Sequence, residues 1–417
     1  MKNYIIQKGK NKYTPFAGIK LISDLMDKLN IEKQINSGFP RPSSNRGYNP
    51  YSYVKSIILG LLLGAECIMD LDTLKQDEVL KEITDMKISH STRIGSFLYS
   101  ANASKIDLVH RIMQDVCIQA LQKAGIKEVT LDADATFIET DKEGVSSYCY
   151  KSFKSLSMLL GFIPEVGSAI YQEFRSGNTS PALNLDEQLY SVYNYLSSKK
   201  IRLKNYRSDS AGYQANIINY CNDRNIKFFI RAKNNYVDYS VIKDWKPLHD
   251  RYGYAIDDIE ISETVHAMDK TESFRLIVTR KKKKHKDPTL FGEYYYEYYS
   301  IATNSDLPAE KVFHFYNERG KCEYCIKSVK WDFSLRKLPS GSKGGNALWT
   351  NIALLAYNIM KLFSVMTTIN KSLKGLRYIL FSAVGAIVKH GNRRIIKLFV
   401  GEDKYNLFLR LKDCLIL

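Results

Sequence analysis

The sequence predicts an α/β fold, a mixed sheet with helices on both faces, and three observations predict it. Glu128–Phe137, Met158–Ile163 and Ala169–Phe174 are consecutive runs with strand texture, and Gly167 marks the turn between the last two. Leu185–Leu196 and Gln214–Asn222 then carry helical periodicity, while Ile201–Arg207 and Lys227–Arg231 read as strands after each of them. The order βββ-α-β-α-β describes an antiparallel meander extended by parallel strands through helical crossovers.

That order is the one found in the ribonuclease H-like fold, and the flanking segments fit around it. Residues 14 to about 125 read as helical: Ile19, Leu21, Ile22, Leu25, Met26 and Leu29 recur at helical spacing, as do Leu108, Ile112, Val116, Ile118 and Leu121. Arg41–Pro50 is a Pro/Gly/Ser/Asn-rich loop, and Pro50 opens another helix. Such a helical module serves either to grip DNA or only to pack. From Tyr236 to about Leu307 the texture returns to β, with strands expected at Ile259–Val265, Ser273–Thr279 and Tyr294–Ala302. One strong helix, Ala309–Phe333, follows, and the chain from Ala347 onward reads as helical and apolar. The expected regions are residues 1–125 (helical, DNA-binding), 126–235 (first part of the core), 236–307 (β-rich insertion), 308–345 (last core helix) and 346–417 (helical).

Composition bounds the partner. Among 417 residues, 61 Lys and Arg stand against 44 Asp and Glu, a formal charge of +17. An excess of that size favours a polyanion, with nucleic acid ahead of an anionic membrane surface. Neither apolar stretch reads as a membrane span: Ile57–Ala65 is too short, and Ala347–Met366 is interrupted by Asn351, Asn358 and Lys361. Both are expected to be buried helices. Met1–Lys12 shows no apolar core of a signal peptide. Seven scattered cysteines suit reduced thiols, and the lone Cys322-x-x-Cys325 reads as helix packing.

The chemistry is carried by acids. Asp132 and Asp134 stand two apart in a strand and so share a face. Carboxylates in mid-strand need positive charge beside them, and a divalent metal supplies it economically. Asp209 follows the fourth strand, at the carboxyl edge where open α/β sheets place ligands, although it also suits the N-cap of the next helix. Tyr316, Arg319, Glu323 and Lys330 fall within roughly 60° on one helical face. Three acids on two strands and a helix would hold two Mg²⁺ ions at a scissile phosphate, with the Tyr, Arg and Lys holding DNA phosphates.

The spacing Y-x2-R-x3-E-x6-K at those four residues resembles the signature of a large group of bacterial insertion-sequence DDE transposases. D-A-D-A-T (Asp132–Thr136), F-R-S-G-N (Phe174–Asn178), D-S-A-G-Y (Asp209–Tyr213) and I-R-A-K (Ile230–Lys233) appear in matching order. The resemblance runs from about residue 40 to 395 and is strongest over 128–360. It implies a ribonuclease H-like core with a β-rich insertion before the third acid, Mg²⁺ or Mn²⁺ dependence, and a homodimer bridging two element ends. The implied reaction is cut-and-paste DNA transposition: release of a 3′-hydroxyl, often through a hairpin, then attack on target DNA. Carried over, the catalytic and metal-binding triad is Asp134, Asp209 and Glu323. The family's D-x-T placement favours Asp134, while Asp132 shares its face and either acid can be the main ligand. Ala211 is an addition to the family's D-S-G-Y and lengthens the turn after Asp209.

Further DNA contacts are expected from Arg175, Lys233, and Lys282 and Lys283 in the run Arg280–Lys286, which reads as a basic hairpin tip. The tract Glu293–Tyr299 either stacks a flipped base or, more plainly, packs along a strand. Trp331 is expected in the core. The partners implied are double-stranded DNA, as terminal inverted repeats and as target, in a bacterial cytoplasm with nucleoid association on DNA. Dimerisation is expected through the apolar C-terminal helices. The competing readings are a ribonuclease H-like nuclease without strand transfer and a catalytically silent, transposase-derived DNA-binding protein.

Overall fold

The computed structural model describes residues 5–7, 12–40, 47–289, 292–391 and 393–415. Seven helices come first: α1 (Lys20–Lys28), α2 (Ile31–Gly38), α3 (Pro50–Leu63), α4 (Asp70–Lys75), α5 (Glu78–Thr84), α6 (Ser91–Tyr99) and α7 (Ala103–Lys123). The core elements follow as β1 (Glu128–Glu139), β2 (Ser147–Tyr148), β3 (Lys154–Ile163), β4 (Ser168–Ser176), α8 (Leu185–Ser198), β5 (Arg202–Ser208), α9 (Ala215–Asp223) and β6 (Lys227–Arg231). Then come β7 (Lys246–His249), β8 (Ala255–His266), β9 (Phe274–Thr289), β10 (Gly292–Thr303), α10 (Ala309–Asn317) and α11 (Gly320–Trp331). The chain ends in α12 (Lys343–Thr367), α13 (Leu373–Leu376), β11 (Gly385–His390), β12 (Arg393–Leu398) and α14 (Glu402–Cys414). Two compact units result. One comprises residues 1–124, 138–156 and 327–417, and the other 125–137 and 157–326.

In the first unit the long helix α12 packs against α7, α3, α6 and α1. Two of its three asparagines donate within the unit: the Asn351 amide to the Ala347 carbonyl at 3.0 Å and the Asn358 amide to the Met113 carbonyl at 2.9 Å. These bonds offset part of the desolvation cost of burying them. Helix α3 starts where Asn49 accepts from the Ser52 N–H and Pro50 occupies the first turn; it ends at Gly64, whose φ of 107° needs a glycine. Both apolar stretches are therefore buried helices. The region after Ala347 is not all helical: β11 and β12 form an antiparallel hairpin in a separate two-stranded sheet. Of the expected loop Arg41–Pro50, residues 41–46 lie outside the described ones.

In the second unit the meander and crossovers form as predicted, within a few residues at each end. Strand β1 lies between β3 and β5; β5 and β6 extend the sheet in parallel, and β4 pairs with β3. The β-rich segment is not a separate body. β10 hydrogen-bonds to β6 antiparallel, and β9, β8 and β7 continue outward, so one sheet runs through core and insertion. The run Arg280–Lys286 is not a hairpin tip. It lies inside β9, where Arg280–Lys284 pair with Tyr298–Tyr294 of β10. Adjacent residues of β6 face opposite sides: Phe229 joins Ile261, Ile277 and Ile301 under Val312 and Tyr316 of α10, while Phe228 meets the edge of Phe274, which in turn meets Tyr213 before α9. Helices thus cover both faces.

The expected single helix Ala309–Phe333 is two. It breaks between Asn317 and Gly320, where α10 ends and α11 begins. Beneath the break lies the most enclosed ion pair of the unit. Arg207 on β5 donates from Nε to Asp132 Oδ1 at 2.6 Å and from Nη2 to Oδ2 at 2.8 Å, while its Nη1 reaches the Phe315 carbonyl at 2.7 Å. Both side chains are buried. Burial pushes the Asp132 carboxyl up, and the bidentate guanidinium opposes it. Arg207→Met is expected to strand a buried carboxylate and cost about 3–5 kcal/mol of unfolding free energy. The double variant Asp132→Leu/Arg207→Met should recover most of that loss in a denaturant titration; no recovery would show that the pair is not the source of the cost.

Candidate active site

The parallel register of β1 and β5 builds the site. Asp132 pairs with Arg207 and Ala133 with Ser208, the last residue of β5; Asp134 and Asp209 are the residues that follow, Asp134 in the middle of β1 and Asp209 just beyond the carboxyl end of β5. Asp209 accepts from the Ala211 N–H at 2.9 Å, capping a 3₁₀ turn over Ser210–Gly212. The residue that lengthens D-S-G-Y thus supplies the N–H that Asp209 holds. Gly212 is required by a close approach: a Cβ there would stand 1.9 Å from Ser208 Oγ. The Tyr316 hydroxyl donates to the Ser208 carbonyl at 3.3 Å and ties α10 to the strand end beside Asp209.

Arg319 lies at the break between α10 and α11, where it is nearly buried. Its Nη2 is 3.0 Å from Asp134 Oδ2 and its Nη1 is 3.4 Å from Glu323 Oε1. Glu323 sits on the first turn of α11 with its side chain 66% exposed. The other Asp134 oxygen, Oδ1, accepts from the Ala135 N–H at 2.8 Å. Burial pushes the Asp134 carboxyl up to about 6; Arg319 opposes the rise, and the negative charges of Asp209 and Glu323 add to it. Asp134 therefore feels the negative charge of both Asp209 and Glu323, with burial as the larger cause of its rise.

Carboxylates are hard oxygen donors of the kind that a divalent cation takes. Among the described residues, no group of three or more His, Cys, Asp or Glu side chains is drawn close enough to hold one. Arg319 stands between Asp134 and Glu323, and Glu323 remains largely in solvent.

The other expected site residues divide. Asp132 shares the face of Asp134 as expected, but both its oxygens are taken by Arg207 and it is sealed from solvent, which points to positioning rather than ligation. Tyr316 is buried against the strand end, so its hydroxyl reaches Ser208 rather than an outside phosphate. Arg175 is also buried and donates to the Leu183 carbonyl at 2.8 Å. Lys330 is half-buried on the last turn of α11, and Lys233 is exposed just after β6. Lys282 is exposed and lies over the Tyr294 ring at 4.3 Å; Lys283 is 3.6 Å from Glu297. Tyr294, Tyr295 and Tyr296 are each about two-fifths exposed rather than packed away. Trp331 is exposed too, its ring covered by the Arg336 guanidinium at 3.6 Å. Cys322 and Cys325 are buried, as helix packing requires. Sequence reasoning missed Arg207; its sole signal was an arginine two residues before Asp209 in a strand otherwise suited to the core.

Two outcomes follow for the isolated protein. Asp209→Asn should lower the Asp134 value and Arg319→Met should raise it, both read by carboxyl ¹³C NMR of aspartate-labelled protein. Because the folded value lies above the ordinary 3.8, this carboxyl favours the folded state most in acid, and that contribution disappears as pH rises from about 4 through 6. Gly212→Ala should cost about 1–3 kcal/mol by overpacking against Ser208, measured by denaturation; an unchanged midpoint would mean the turn is slack.

The chain resembles known proteins at two levels. The piggyBac transposase, solved by cryo-EM as a synaptic complex with hairpin DNA, shares 11% identity at a TM-score of 0.47 over 88% of this chain and 80% of that one. No curated protein matches. The family described as transposase DDE domain group 1 matches residues 7–413, nearly the whole length. The chain therefore belongs to transposase DDE domain group 1 and is a transposase enzyme.

Proposed function

We propose that this transposase cuts DNA at the ends of its own insertion sequence and joins the freed 3′-hydroxyl to target DNA, with Asp134, Asp209 and Glu323 as its catalytic carboxylates. What supports the reading is the β1–β5 register, whose last pair, Ala133 with Ser208, comes one residue before Asp134 and Asp209, together with Arg319, which stands 3.0 Å from Asp134 and 3.4 Å from Glu323. The three acids would hold Mg²⁺ or Mn²⁺, which would activate the attacking water or 3′-hydroxyl and steady the leaving oxygen. The chain's own part is to place them. The Asp132–Arg207 pair fixes the strand ends, Tyr316 fixes the turn at Asp209, and Arg319 and Lys330 hold phosphates of the DNA being cut. Exposed Lys233 and Lys282, with the half-buried Lys283, would add salt-dependent contacts to the duplex. A homodimer pairing two terminal inverted repeats, in a bacterial cytoplasm, completes the proposal.

The test is cleavage of a duplex carrying the terminal repeat that flanks the gene, with Mg²⁺ and with EDTA. Asp134→Ala, Asp209→Ala and Glu323→Ala should each lower nicking by more than the roughly 100-fold that loss of an outer-shell partner costs, while DNA binding persists. Asp132→Ala should instead lower the melting temperature, because it leaves Arg207 buried without its partner. Tight binding by the wild type with no cleavage under either metal would overturn the catalytic reading in favour of a silent DNA-binding protein.

A further inference from the structure

Arg319 holds the site in a particular state. Asp134 has Oδ1 on the Ala135 N–H and Oδ2 on the guanidinium, and the same guanidinium reaches Glu323. A guanidinium stays charged at any pH a protein survives, so protonation chemistry cannot clear it. It leaves Asp134 and Glu323 only by moving. Its planar fork fits a phosphate as well as a carboxylate. Its backbone lies at the helix break, where the Arg319 N–H donates to the Tyr316 carbonyl at 2.9 Å and the Cys322 N–H donates to the Arg319 carbonyl at 2.8 Å. The side chain can therefore change partner while the backbone stays put.

We propose that Arg319 is a built-in counter-ion that keeps the carboxylates closed to divalent metal until a DNA phosphate takes the guanidinium away, so that metal loading follows DNA binding. The inference rests on the reading of Asp134 and Glu323 as metal ligands. Asp134 and Glu323 are both paired with this internal cation. By linkage, the DNA that draws Arg319 off must raise metal affinity, and bound metal must raise affinity for that phosphate by the same factor. Free protein would then carry little metal and cut nothing; the site would arm itself on its substrate.

The experiment measures Mn²⁺ binding to the whole protein by electron paramagnetic resonance, without DNA and with the terminal-repeat duplex. Without DNA, Arg319→Met should bind Mn²⁺ at least about tenfold more tightly than the wild type, within the usual range of coupling between sites. Adding duplex should tighten the wild type by a comparable factor and change Arg319→Met much less. Glu323→Gln added to Arg319→Met should erase the gain. Equal Mn²⁺ affinity of free wild type and free Arg319→Met overturns the inference. So does equal affinity of wild type with and without DNA, a comparison that stands even if Arg319→Met does not fold. If Mn²⁺ binding responds to neither Asp134→Asn nor Glu323→Gln on or off DNA, the metal reading itself has failed and the inference falls with it. If it responds to them but not to Arg319, only the inference has failed.

Discussion

A single buried ion pair sets the frame of the site. Asp132 and Arg207 stand opposite each other on two parallel strands, and a bidentate bond joins them where no water can compete. Parallel strands slide in register unless side chains forbid it, and a one-residue slip would turn every side chain to the wrong face. Here a slip would strand two buried charges at once, a penalty of several kcal/mol. The third guanidinium nitrogen, on the Phe315 carbonyl, extends the restraint to the end of α10. Asp134, Asp209 and Arg319 all lie within a few residues of these anchor points.

The strands and helices of the core were legible because burial imposes a period. Lys227–Arg231 is matched residue for residue, and the other core elements fall within a few positions, since apolar alternation and helical spacing are local properties of the chain. What was not legible depends on partners far away in sequence. Asp132 and Asp134 are indistinguishable by spacing, and they part only because Arg207 meets one of them. The run Arg280–Lys286 reads as a turn by charge alone, yet tyrosines across the ladder shelter its stems and make it strand. That β10 docks on β6 is a pairing choice that no local pattern encodes. The last segment read as helix because it is apolar; its Ile/Val content and Gly391 suit a hairpin better.

The break between α10 and α11 was hidden for a different reason. Helical periodicity runs on through Glu318 and Gly320, so the sequence looks like one helix with four functional residues on a single face. In the structure the break divides their labour. Tyr316 faces inward to steady the strand end, Arg319 stands at the corner between two acids, and Glu323 begins the second helix in solvent. A straight helix would have held all four at fixed spacing; the corner gives the arginine access to more than one partner.

The continuity of the sheet has an evolutionary consequence. The outer strands are joined to the core through amide–carbonyl bonds, which do not depend on side-chain identity, from β6 to β10 and on to β9 and β8. Their outward side chains, the alternating lysines and tyrosines among them, can be exchanged for others without disturbing the spacing of the acids. Mutation can thus explore new surface chemistry at the sheet's far side while the cutting apparatus stays constant. A lineage of such enzymes would be free to diverge fastest in what it touches and slowest in what it does.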